Sequence, residues 1–167
     1  AKIADRWSDD APPTLDGMAY MTYAIRDENG ASFSLAPDYY ALRWLQENVE
    51  GRPVVLEAQT VEYFWGSRVS VYTGLPTLIG WNWHQRQQRV FTSTWVENRV
   101  IEVAEFYNTV DIASAREFLE KYDVRYVVVG QLERAAYDFK GLAKFDLYNE
   151  QYWNQVYGDG KTTIYEV

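Results

Sequence analysis

Hydrophobic positions along the chain fall into a short series of helical and extended patterns, separated by turn residues. A helix is predicted to begin at Pro37, whose fixed φ suits a first helical turn. Leu42, Leu45 and Val49 then share one face, with Ala41, Trp44 and Asn48 alongside, and Gly51 stops it. Residues 54–56, Val-Val-Leu, read as a buried strand that delivers Glu57 at its carboxyl end. Short strands are expected near residues 69–72 and 77–79. Over residues 94–107 a helical stripe carries Val96, Val100, Val103 and Tyr107. Asp111 is a suitable N-cap for a further helix to Tyr122, with Ile112, Ala115 and Leu119 facing inward. Residues 125–129 are the strongest strand signal, closed by Gly130, and a short helix over 132–137 follows. Residues 153–157 and 161–167 alternate with period two around Gly158-Asp159-Gly160, the pattern of a hairpin.

This order implies an α/β fold: a mixed β-sheet flanked by helices, with a C-terminal β-hairpin. Residues 37–167 read as a single α/β domain. Residues 1–36, rich in turn dipeptides such as Pro12-Pro13, Asp16-Gly17 and Asn29-Gly30, read as an irregular N-terminal arm with some order over 18–25. The start at Ala1, with no signal-peptide pattern, reads as that of an excised segment.

Composition narrows the function. The 167 residues carry a net charge of -8, so no basic footprint for nucleic acid or anionic lipid is visible. With no cysteine and one histidine, His84, disulfides, thiolate metal sites and multi-histidine metal sites are excluded. No apolar run approaches the roughly 20 residues that span a bilayer. Aromatics reach 17%, with seven Trp and fourteen Tyr, more than a core of this size needs. Such side chains pair an apolar body with a polar tip and favour interfaces and wet pockets.

No phosphate-binding loop, nucleophile elbow or dinucleotide fingerprint occurs. The candidate chemistry lies between Glu57 and Arg89. Ligands gather at the carboxyl ends of strands in open α/β sheets, which is where Glu57 is placed. Arg68, His84, Arg86 and Arg89 are the nearby cations in sequence, interleaved with Trp65, Trp81 and Trp83. Charges that bind hydroxyls and rings that stack on C–H faces suit a polyhydroxylated ligand. The competing reading is structural: Glu57 pairs with Arg68 to close a loop, as buried charges must be paired. A third reading takes Glu57 and Glu62 as an acid/base pair for glycoside hydrolysis.

From Arg68-Val-Ser70 through Thr73-Gly-Leu-Pro-Thr77 and Gly80-Trp81 to a His-led polar helix with Arg89, the chain resembles the YYY-type membrane proteins. These are uncharacterised polytopic proteins of bacteria and archaea. The likeness continues through Tyr107-Asn-Thr109, residues 122–130, Leu132-Glu-Arg134, residues 141–145 and residues 164–167, covering most of 36–167. Gln85 and Gln88 stand where the family pattern has Glu and Trp. That family is similar to membrane-embedded glycosyltransferases that use polyprenyl-phosphate-linked sugars. The layout also resembles the C-terminal domains of oligosaccharyltransferases, although their Trp-Trp-Asp motif is absent and Phe64-Trp65-Gly66 only echoes it. The resemblance implies an extracytoplasmic C-terminal domain of a polytopic membrane protein, partnered by its own transmembrane region. Catalytic acid and metal would then lie outside this chain, with no cofactor within it. Glu57, Arg68, Trp81, His84 and Arg89 would bind a saccharide or a polyprenyl-phosphate-linked sugar. The alternative is a protein-interaction domain that packs on its membrane region and binds no small molecule.

Overall fold

The computed structural model describes residues 13–28, 30–62, 64–88 and 93–167. Its centre is a four-stranded mixed sheet in the order β3-β4-β6-β5. Strand β3 (Val54–Leu56) runs parallel to β4 (Val124–Val129), and β4 pairs antiparallel with β6 (Thr163–Glu166). Strand β5 (Asn154–Gly158) completes the predicted C-terminal hairpin with β6. The fold is therefore α/β, with helices on both faces.

Alternation along the strands divides the core in two. Leu56, Val127, Val129 and Tyr165 face one layer, built by α4 (Ser93–Asn108), α5 (Ile112–Lys121) and α7 (Phe139–Leu147). Val55, Val128 and Ile164 face the other, where α1 (Ala36–Asn48) supplies Ala41, Leu42 and Leu45. That second layer also takes Val69 of α2 (Arg68–Thr73) and Leu132 of α6 (Gln131–Ala136). The small helix α3 (Asn82–Gln88) packs on α4. Among the described residues no helix is long and apolar enough to cross a membrane.

Two amphipathic patterns later in the chain form as the periodicity predicts. Val96, Val103 and Tyr107 of α4 are buried, and Asp111 caps α5 by accepting from the N–H groups of Ala113 and Ser114. Asp111→Ala is expected to cost about 1 kcal/mol. Thermal unfolding would read this as a fall in Tm of roughly 2–4 °C; an unchanged Tm would show that the cap contributes nothing.

Four parts of the chain differ from the expectation. Residues 69–72 belong to helix α2 rather than a strand: Val69 is buried while Val71 is 56% exposed, opposite faces two residues apart. Of residues 77–79 only Thr77 pairs, as an isolated parallel bridge to Val55 beside the Pro76 carbonyl that accepts from Val55 N–H. Helix α7, absent from the sequence reading, starts at Asp138, whose side chain accepts from Lys140 N–H. Within residues 13–36, a 3-10 turn over Ala19–Thr22 precedes a hairpin of β1 (Ile25–Glu28) and β2 (Ala31–Ser34).

Candidate functional site

The carboxyl ends of the two parallel strands meet at a buried charge cluster. Glu57 follows β3, and Gly130 follows β4 and opens α6. Arg68, the first residue of α2, places its guanidinium among three carboxylates. Its Nε lies 2.8 Å from Asp38, its Nη2 2.8 Å from Glu133 and its Nη1 3.6 Å from Glu57. None of these four side chains is more than 4% exposed.

Glu133 staples the two strand ends together. One carboxylate oxygen accepts from Ala58 N–H at 2.7 Å, beyond β3, and the other from Gly130 N–H at 2.8 Å, beyond β4. A Cβ on Gly130 would stand 3.1 Å from Thr162 Oγ1 and 3.2 Å from Glu133, so the close approach favours glycine there. Asp38, in the first turn of α1, accepts from Trp65 Nε1 at 2.5 Å and from Thr162 Oγ1 at 3.1 Å. Glu57 accepts from Val69 N–H at 3.0 Å, which anchors the start of α2. A fourth buried acid, Glu28 of β1, accepts from Thr60 Oγ1 and Trp65 N–H, each at 2.7 Å, and fastens the hairpin to the loop over residues 57–67.

Burial pushes the Asp38 and Glu57 carboxyls up, Glu57 to about 7, and the Glu133 charge adds to both while Arg68 opposes it. Burial also acts against the Arg68 charge, but its three carboxylates outweigh that and hold it above its ordinary range. One guanidinium among three acids leaves a surplus of negative charge, so Glu57 is the group positioned to carry a proton near neutrality.

Beyond Glu57 lie two spaces that share residues 77–79. A small cavity of about 10 Å³ is lined by Glu57, Ser67 and Gly80, among others. A recess of about 170 Å³ sharing that strip is walled by Thr77, Gln85, Trp95 and Arg99. Arg99 spends one Nη1–H on the Leu78 carbonyl at 3.2 Å, which seats its guanidinium on the strip.

The structure brings the sequence candidates together in two pairs. Glu57 and Arg68 meet inside the cluster. Trp81 and His84, both half-buried at the start of α3, approach with ring centroids 5.7 Å apart. Gly80, lining the Glu57 cavity, joins the pairs through the chain. Arg89 lies outside the described residues. Glu62 accepts from Trp83 N–H at 3.1 Å. Asp38 and Glu133 were missed by sequence reasoning. Glu133 had a signal, standing three residues after the Gly130 that opens α6, the spacing of a capping box. Asp38 had only its place after Pro37 at a helix start.

No protein-family model matches the chain, and no curated protein matches it. Among solved structures it is similar to the C-terminal globular domain of oligosaccharyltransferase from Archaeoglobus fulgidus. The identity is 17% and the TM-score 0.49, over 77% of this chain and 94% of that one.

Proposed function

We propose that this chain is the extracytoplasmic C-terminal domain of an integral membrane glycosyltransferase, where it recognises sugar or acceptor without complete catalytic machinery of its own. The observation that carries the reading is the recess over residues 77–79. Its wall combines the Trp95 ring, the Arg99 guanidinium, the Gln85 amide and the Thr77 side chain. An indole offers a face to sugar C–H groups, while amide, hydroxyl and guanidinium match hydroxyls or a phosphate. Trp81 and His84 stand at the start of α3, the helix that supplies Gln85, and Arg89 is a further candidate by its place in the sequence. Glu57 and Arg68, being buried, brace the strip rather than touch a saccharide. The YYY-type motifs support the membrane setting, and the domain's own transmembrane region is its partner in this reading.

Titration of the domain with saccharides and short-chain prenyl-phosphate sugars, followed by tryptophan fluorescence, tests it. Saturable quenching is expected, with affinity reduced about tenfold or more in Arg99→Ala, the scale of a lost charge-assisted hydrogen bond. No spectral change with any of these ligands would discard it. The interaction-domain alternative would then stand, favoured by the exposed Val61, Phe64 and Trp83.

A further inference from the structure

We propose that the Glu57 carboxyl holds a single internal water molecule in the cavity behind residues 77–80. The two oxygens of Glu57 have different surroundings. Oε2 accepts from Val69 N–H at 3.0 Å and lies 3.6 Å from Arg68 Nη1. Oε1 is buried and has no hydrogen-bond partner of ordinary geometry among the described residues; the Ser70 N–H also favours the carboxyl's charged form. A buried carboxyl oxygen left without a partner carries its full desolvation cost, so native proteins satisfy such atoms with protein groups or with ordered water.

The cavity that Glu57 lines fits that guest in size and chemistry. Its volume of about 10 Å³ is the room for one water, too small for any sugar or phosphate. Gln59, Ser67 and Thr77 stand around it as polar neighbours, against apolar walls from Leu56, Ile79 and Val103. An internal water needs two to four polar partners, and Oε1 with polar atoms of these residues would be those partners. Water also suits a carboxyl that changes its protonation, since it donates to a carboxylate and accepts from a carboxylic acid. By bridging Glu57 to the strip at 77–80, the water fastens a wall of the recess to the charge cluster. The inference stands on the cavity alone and does not require a saccharide in the recess.

Two measurements without added ligand test it. In a crystal structure that shows ordered solvent, one water is expected about 2.6–3.2 Å from Glu57 Oε1. In solution, oxygen-17 relaxation dispersion is expected to count one fewer long-lived water in Glu57→Met than in Glu57→Gln, whose amide still bonds water. A dry cavity, or Oε1 bonded to a protein donor, overturns the proposal, as does an equal count in the two variants. If Glu57→Met fails to fold, the wild-type density decides.

Discussion

Arg68→Met is expected to lose cooperative folding at pH 8 and to recover part of it near pH 5. The methionine fills most of the arginine stem's volume but leaves Asp38, Glu57 and Glu133 facing one another without a cation. Removing one partner of a buried ion pair costs about 3–5 kcal/mol, and here a single guanidinium serves three carboxylates. That sum rivals the whole stability of a domain, about 5–15 kcal/mol. The pH dependence follows from the direction of the shifts. Asp38 and Glu57 already titrate above their ordinary values when folded, and Arg68 is what restrains them. Without it they rise further. A group whose folded pKa exceeds its unfolded one contributes stability that is complete below the unfolded pKa and lost as pH rises through the folded value. The variant is therefore strongest in acid. Circular dichroism during urea unfolding at the two pH values reads the effect. Combining Arg68→Met with Asp38→Asn and Glu57→Gln should restore part of the folding at pH 8, since most of the defect is charge; Glu133 is kept because both its oxygens accept from backbone N–H groups. Equal stability of Arg68→Met and wild type at pH 8 would contradict this account.

The same cluster shows where sequence reasoning reached and where it stopped. Glu57 was visible because a continuous apolar run points it to the carboxyl end of a strand, and Arg68 because it is a cation following soon after. Asp38 and Glu133 lie far away in sequence and look like ordinary solvated charges. Only the folded chain reveals that they share one guanidinium, because burial of a charge is a property of its partners rather than of its neighbours in sequence. Helix α2 was hidden for a related reason. Its valines favour extended structure, but the Glu57 bond to Val69 N–H fixes the first turn, and Gly74 ends it with φ 74°. The hairpin in the N-terminal arm escaped notice although Gly30, at φ 72°, stands between its strands. β1 reads Ile-Arg-Asp-Glu and buries Glu28 rather than an apolar residue, so the alternation that identifies a strand is missing. Where burial is purely apolar, as along α4, α5, β4 and the C-terminal hairpin, periodicity sufficed.

Helix α7 was missed because a lysine occupies its buried face, and that lysine gives the second large prediction. Lys144 is 1% exposed, and no carboxylate among the described residues pairs with it. Its ammonium donates to the carbonyls of Phe106, Tyr107 and Gly141 at 2.7, 3.0 and 2.9 Å. The first two belong to the last turn of α4, where carbonyls have no partner within the helix and the dipole favours a cation. The rings of Phe106 and Phe145 add their faces, 4.9 and 4.7 Å from Nζ. Gly141 lets the helices close: a Cβ there would stand 2.5 Å from Asn108 O. Lys144→Met keeps the stem and removes the donors, leaving buried carbonyls unpaired. The expected cost is about 3–5 kcal/mol, from about 1–3 for each unsatisfied group with partial relaxation. In thermal unfolding this corresponds to a Tm lower by roughly 10 °C. Burial pushes the ammonium down to about 7. A depressed folded pKa contributes stability that is complete above the unfolded value of 10.5 and declines as pH falls toward 7. Glu57 acts in the opposite sense, with stability declining as pH rises from 4.5 toward 7. Together they place a minimum in wild-type stability near neutrality, with a limb on either side. Lys144→Met should lose the limb between pH 7 and 10, and Glu57→Gln the limb below 7. A wild-type stability that is flat across both windows would show that neither burial perturbs its group.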